Sequence, residues 1–237
     1  MKERGMIFNA EMVRAILDGR KTQTRRVMAI QPEHSGLGLR RVIDSKNGKD
    51  NDKYFWAQSD ACGLKARSKP FACPHGSIGD RIWVRETWSQ LGNEDGCAID
   101  WNDELVKGGG PEAARIYRAS CEQRPGNYGL WSIPDDAFWK PHTDNMEFEG
   151  AWCPSIHMPR WASRILLEIT DVRVERLNDI SEDDAKAEGA PTECCVIGDK
   201  HFLGFRSLWK SIYGDESWRA NPWVWVIEFK RVEGGAA

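Results

Sequence analysis

The last strand-like run most constrains the fold: Pro222-Trp-Val-Trp-Val-Ile-Glu-Phe-Lys-Arg-Val232. A strand that faces water on one side alternates apolar and polar residues. This one is apolar at consecutive positions from Trp223 to Ile227, so both faces of its first half must be covered. The chain therefore needs a sheet with a buried member. A second strand supports this, since Ile165, Leu167 and Ile169 alternate with polar neighbours before Val172 and Val174 resume in shifted phase. The shift predicts a bend or bulge near Thr170-Asp171. Arg81-Ile-Trp-Val-Arg-Glu-Thr-Trp88, behind the turn signal Gly79-Asp80, predicts a third strand, and Ala114–Ala119 a short fourth.

Helices are few. Asn9 is placed to cap a short helix with Met12, Val13, Ile16 and Leu17 on one face and Gly19 as its stop. Ser181 is placed to cap another, whose acidic first turn (Glu182, Asp183, Asp184) suits the helix dipole and which runs to Glu188 before Gly189. A third has Phe205, Leu208, Trp209 and Ile212 on one face and stops at Gly214. Strands outnumber helices and do not alternate with them, which predicts α+β and a small β-barrel with flanking helices over a βαβ sheet. Residues 31–79 are polar and rich in Gly and Lys; 90–112 and 121–158 lack sustained periodicity. We read one domain over 1–237 with two loop-rich insertions, at about 33–76 and 90–150.

Composition narrows the class. With 237 residues, 41% hydrophobic and a net charge of −3, the chain has enough material for a core without metal or disulfide support. No apolar run approaches the ~18 residues of a membrane helix. The first nine residues hold no continuous apolar stretch, which argues against a secretory signal. Seven cysteines cannot all pair, so reduced thiols and a cytoplasmic setting are expected. Twelve tryptophans suit a Trp-rich core, with some free to stack on a nucleobase. Residues 1–41 carry nine basic and four acidic side chains, a net of +5 against −8 for the rest, so any basic patch is local.

The densest polar constellation is Gly19-Arg-Lys-Thr-Gln-Thr-Arg-Arg26, which predicts an exposed strand after the first helix. In a regular strand Thr22, Thr24 and Arg26 share one face, and Lys21, Gln23 and Arg25 the other. Lys21 acts with Thr24 only if Lys21 lies in the turn that Gly19 begins. Burial, or the neighbouring Arg20, Arg25 and Arg26, would lower its pKa so that a neutral amine takes the Thr24 proton. The competing reading is an ordinary junction with a solvated basic edge. Arg85-Glu86-Thr87-Trp88 is a second constellation. A buried Glu86 needs a partner, with a basic residue of the first motif the natural one, and a structural ion pair is the favoured reading. Trp83, on the Arg85 face, and Trp88, on the Glu86 face, are stacking candidates, and Tyr117-Arg118 another wall. Cys62, Cys73 and His75 lack a close Cys pair and a fourth ligand, Cys194-Cys195 are poorly placed to chelate together, and no metal or other cofactor is expected.

Gly19-x-Lys21-x-x-Thr24-x-Arg26 resembles the signature of the ASCH family, a branch of the PUA-like superfamily of small β-barrels. The resemblance extends to Ala15–Gly19, Ile82–Thr87, Ile165–Glu188, Ile212–Gly214 and Trp225–Lys230, about half the chain, and is nearest to large, often prophage-encoded members. One ASCH group, the N4-acetylcytidine amidohydrolases, is similar at Lys21, at Thr24 and at Glu188. The resemblance implies hydrolysis of an acyl group on the cytosine amine. Thr24 would be the nucleophile, Lys21 its base and Glu188 the acid or orienting group, with Arg26 or backbone N–H groups for the oxyanion. Arg20, Arg25, Arg26, Trp83, Arg85, Glu86 and Trp88 are expected around a modified nucleoside or single-stranded RNA. The rivals are a binding module without chemistry, a ribonuclease that uses Lys21, Arg25 and Arg26 on the phosphate, and a phage assembly or host-interaction protein working through its insertions.

Overall fold

Local signals in the chain are realised as short elements strung between long connections. A computed structural model describes residues 1–60, 63–93, 95–133, 137, 147–192 and 200–232. In chain order the strands are β1 (Glu3–Ile7), β2 (Gln23–Val27), β3 (Gly38–Arg41), β4 (Tyr54–Asp60), β5 (Gly63–Ala66) and β6 (Arg81–Arg85). They continue as β7 (Trp88–Gln90), β8 (Arg115–Tyr117), β9 (Glu122–Arg124), β10 (Asn127–Tyr128), β11 (Leu166–Arg176) and β12 (Trp223–Arg231). The α-helices are α1 (Ala10–Leu17), α2 (Arg118–Cys121), α3 (Glu182–Ala187), α4 (Lys200–Tyr213) and α5 (Asp215–Arg219). The architecture is α+β, and among the described residues no sheet closes on itself.

Two compact units divide the chain. The first is Met1–Thr22, Gly79–Glu168 and Phe229–Ala237; the second is Gln23–Ile78 and Ile169–Glu228. In the first unit, β1 and β6 pair in parallel from Glu3↔Arg81 to Ile7↔Arg85, and β6 pairs antiparallel with the start of β11 through Trp83↔Leu166 and Arg81↔Glu168. The expected strand 81–88 breaks at Glu86-Thr87, after which β7 leaves to pair with β8. The strand predicted over 114–119 is only β8, and its end turns into α2. Ile116, Tyr117, Cys121, Leu130, Ile133 and Met158 form a buried cluster with Trp88, so the second insertion brings a core of its own.

In the second unit β2 and β12 pair antiparallel, from Gln23↔Glu228 to Val27↔Val224. As its apolar run requires, β12 is buried at Val224, Trp225, Val226 and Ile227. Val224 and Val226 join Leu177, Ile180, Phe205, Trp209 and Trp218 in one cluster, which fastens α4 and α5. Ile212, expected on that apolar face, is exposed, because the helix buries only the narrower stripe through Phe205 and Trp209. Within the first insertion, where a loop-rich stretch was expected, β3, β4 and β5 form a three-stranded antiparallel sheet. Its core side carries Trp56, whose ring lies 5.4 Å from Trp223, and Tyr54, 5.3 Å from Trp225.

Candidate functional site

The first motif begins where α1 ends. Asn9 caps the helix by accepting a hydrogen bond from the Met12 N–H at 2.8 Å, and Gly19 stops it with φ +72°, the left-handed conformation that a side chain disfavours. The N–H groups of Arg20 and Lys21 both donate to Ala15 O at 2.9 Å, so Lys21 lies in the turn that Gly19 begins. Its side chain is 2% exposed. Arg20 is exposed and spends its guanidinium on Asp18 at 2.8 and 3.2 Å. The opening segment of the first unit ends at Thr22, so Lys21 belongs to that unit and Thr24, Arg25, Arg26 and Glu188 belong to the second.

In the second unit, β2 is buried at Gln23, Thr24 and Arg25, where an exposed strand was expected. Its ladder with β12 accounts for the backbone, and α3 accounts for the face that Gln23 and Arg25 share. Gln23 Nε2 donates to Asp184 O at 2.8 Å and to Asp184 Oδ1 at 3.0 Å. The Arg25 side chain has no exposed surface. Its Nη2 lies 2.9 Å from Glu175 Oε2 and 3.4 Å from Asp184 Oδ2, and its Nη1 3.3 Å from Glu188 Oε1. Arg25 Nε makes no hydrogen bond among the described residues. Strand alternation turns Thr24 and the half-buried Arg26 to the other face.

Glu188 is 4% exposed and sits at the C-cap of α3, its N–H bonded to Asp184 O at 2.8 Å. The helix is short but well started, since Ser181 Oγ accepts from the Asp184 N–H and donates to Asp184 Oδ2. A second arginine braces the same carboxylates. Arg173 reaches Glu175 at 2.6 Å through Nε and Asp184 at 3.0 Å through Nη2, and Nη1 binds Glu228. Burial alone would raise the pKa of Asp184, but the hydrogen bonds from Gln23 and Ser181 and the charges of Arg25 and Arg173 outweigh it, holding the carboxyl below its usual range. Burial would likewise lower the pKa of Arg173, and the hydrogen bonds and charge of Glu175 and Glu228 raise it instead. The outcome is a carboxylate lattice knitted by two guanidiniums, in which Arg25 fixes where Glu188 points. Sequence reading missed Arg173, Glu175 and Asp184 as members. The signal was there in Asp171-x-Arg173-x-Glu175, where charge recurs with the strand period of two.

In the first unit, Glu86 is paired, but with Arg164 and not with a basic residue of the first motif. Arg164 Nε and Nη2 each donate to a Glu86 oxygen at 2.9 Å, a bidentate pair with both side chains nearly inaccessible. The two are 78 residues apart, and only the fold brings them together. The Arg164 guanidinium lies 4.1 Å from the Tyr117 ring centroid, and Tyr117 donates from its hydroxyl to Ala162 O at 2.9 Å. Burial pushes the Tyr117 hydroxyl up to about 12. Trp88 is buried edge-on to Trp161, 5.4 Å between centroids. Trp83 is half-buried against the Gly5 backbone, where a Cβ would lie 2.6 Å from its ring, and the Arg85 guanidinium is 5.4 Å from that ring. Arg85 itself donates to the Ser155 and Ile156 carbonyls. Arg118 pairs with Glu122 at 2.9 Å. Cys73 and His75 are described, whereas Cys62, Cys194 and Cys195 lie outside the described residues. Among the described residues no group of three or more His, Cys, Asp or Glu is placed to hold a metal ion. No described helix is long and apolar enough to cross a membrane.

No family model, no curated protein and no solved structure matches this chain.

Proposed function

We propose that the chain is an ASCH-type, PUA-like protein that recognises a modified nucleobase, as a nucleoside or within single-stranded RNA, and hydrolyses an N-acyl group on cytidine. One observation carries the reading. The three side chains that the resemblance assigns to chemistry are all polar and all buried: Lys21 and Thr24 at 2% exposure, Glu188 at 4%. A solvated junction would leave a lysine and a glutamate in water, because burying either costs free energy that a partner must offset. In this reading the Lys21 amine takes the Thr24 hydroxyl proton as Thr24 Oγ attacks the acyl carbonyl. The C–N bond then breaks, the cytosine amine leaves with that proton, and water hydrolyses the threonine ester to release the carboxylic acid. Glu188, engaged by Arg25 at 3.3 Å, serves as the acid or orienting group. Arg25 serves that carboxylate, which leaves a ribonuclease one phosphate-binding guanidinium fewer than its reading requires. A cytoplasmic setting fits both the substrate class and the free thiols of Cys97, Cys121 and Cys153.

The test is acetate release from N4-acetylcytidine by the purified chain. Lys21→Ala, Thr24→Val and Glu188→Gln should each lower kcat/KM by about 100-fold or more while circular dichroism stays unchanged. Turnover that survives Thr24→Val refutes the nucleophile. A folded wild-type chain with no turnover removes hydrolysis and leaves recognition alone.

A further inference from the structure

The first insertion is not the irregular stretch its composition suggests, and its sheet has a second face. By register Arg40 stands opposite Phe55, Gly38 opposite Ala57 opposite Ala66, and Ser59 opposite Leu64. Residues opposite one another share a face, so these seven lie on the side away from Trp56 and Tyr54. That side is open around its margins: Gly38, Arg40, Ser59 and Ala66 are exposed and Leu64 is 54% exposed, while Phe55 is half-buried and Ala57, beside it on β4, is buried. Phe55 makes no ring contact among the described residues, unlike Tyr54, Trp56 and Phe71 on the core side.

The segment that carries this sheet is also basic in an acidic chain. Residues 38–69 hold eight Lys and Arg against four Asp and Glu, a net of +4, while the remaining chain sums to −7. Two of the acids are consumed locally, Asp52 by Arg41 at 2.7 Å and Asp50 by Lys53 at 2.7 Å. Arg40, Lys46, Lys49 and Lys69 are exposed and have no ion-pair partner among the described residues. A solvated strand needs no such surplus, and one of these cations, Arg40, stands directly opposite Phe55.

We propose that the outer face of the β3–β4–β5 sheet binds single-stranded RNA. Phe55 offers its ring face to a base, and Arg40, Lys46, Lys49 and Lys69 meet the phosphates that flank it. The chemistry calls for a polyanion with flat apolar rings at regular spacing, which a polynucleotide has and an acidic peptide lacks. A single strand is required because stacking needs an unpaired base. The inference rests on the proposed function only in choosing RNA over DNA; the surface itself is independent of Lys21, Thr24 and Glu188.

The experiment measures binding of a fluorescein-labelled 12-nucleotide RNA by anisotropy from 50 to 300 mM salt. Alongside the wild type go the quadruple variant Arg40→Gln, Lys46→Gln, Lys49→Gln, Lys69→Gln, and Phe55→Leu, which keeps apolar bulk but loses the ring. The wild-type affinity should fall steeply with salt. The quadruple variant should bind at least tenfold more weakly at 50 mM, with the log–log slope shallower by about 0.7 for each phosphate contact removed. Phe55→Leu should lose about tenfold in affinity at an unchanged slope and unchanged Tm, and Phe55→Trp should restore it. Hydrolysis of free N4-acetylcytidine, read on the same variants, should be unaffected, so failure of the catalytic reading and failure of this one are told apart. Equal binding by wild type and quadruple variant overturns the proposal. So does competition by poly-glutamate as effective as that by unlabelled RNA, which would mean that the face reads charge alone.

Discussion

Arg25 shows how far one side chain's role depends on its surroundings. In the sequence it is one of four cations between Arg20 and Arg26, and nothing distinguishes it from Arg20. In the fold Arg20 is exposed and paired with an equally exposed Asp18, whereas Arg25 is inaccessible and touches three carboxylates. Exposed pairs are screened by water and contribute little, while opening a buried one leaves charge without compensation. Arg25→Ala should therefore lower the unfolding free energy by about 3–5 kcal/mol, and Arg20→Ala by under about 1 kcal/mol, both read from urea denaturation. Equal effects would show that the lattice around Asp184 does not carry stability.

At the scale of elements, what was legible is what is local. The start and stop of α1 follow from Asn9 and Gly19, and the start of α3 from Ser181, because a cap is a bond between neighbours. Ser181→Ala removes both its bonds to Asp184 and should cost about 1 kcal/mol, seen as a lower urea midpoint with the same denaturant slope. Strands were less legible. Residues 81–88 read as one strand but are two, because β7 pairs with β8 instead of continuing beside β1. The Tyr-Phe-Trp-Ala run of β4 was a usable strand signal, masked by the polar, Gly-rich segments on either side of it.

Across the whole molecule, the acidic groups set the pH response. The carboxyl groups of Asp100, Glu182, Asp184 and Asp215 are all held below their usual range. For Asp100 the main cause is the N–H groups of Glu104 and Asn102, and for Asp215 the hydrogen bond from Lys210. For Glu182 and Asp184 desolvation opposes the shift, but the N–H groups of His201 and Phe202, and the Gln23, Ser181 and arginine contacts, prevail. A carboxyl depressed in the folded state binds protons more readily once unfolded. Its stabilisation is thus complete above the unfolded value of about 4 and is lost as pH falls through the lower folded value. The urea midpoint should hold steady from pH 7 to 5 and drop below pH 4, and Asp184→Asn should flatten part of that drop. A midpoint that instead rises as pH falls below 4 would contradict these assignments.

By itself the sequence determined the α+β class, the burial of the closing strand and the helix caps, because each depends on periodicity or on neighbours within about five positions; the residues worth testing came from the resemblance. The tertiary structure decided the rest. It buried the first half of β2, gave Glu86 to Arg164 across 78 residues, and drew Arg173 and Glu175 around Asp184. It also folded the first insertion into a sheet with one aromatic on its open face. The physical reason is common to all four. A charged or polar side chain reads the same in sequence whether water or a partner will satisfy it, and only packing removes the water.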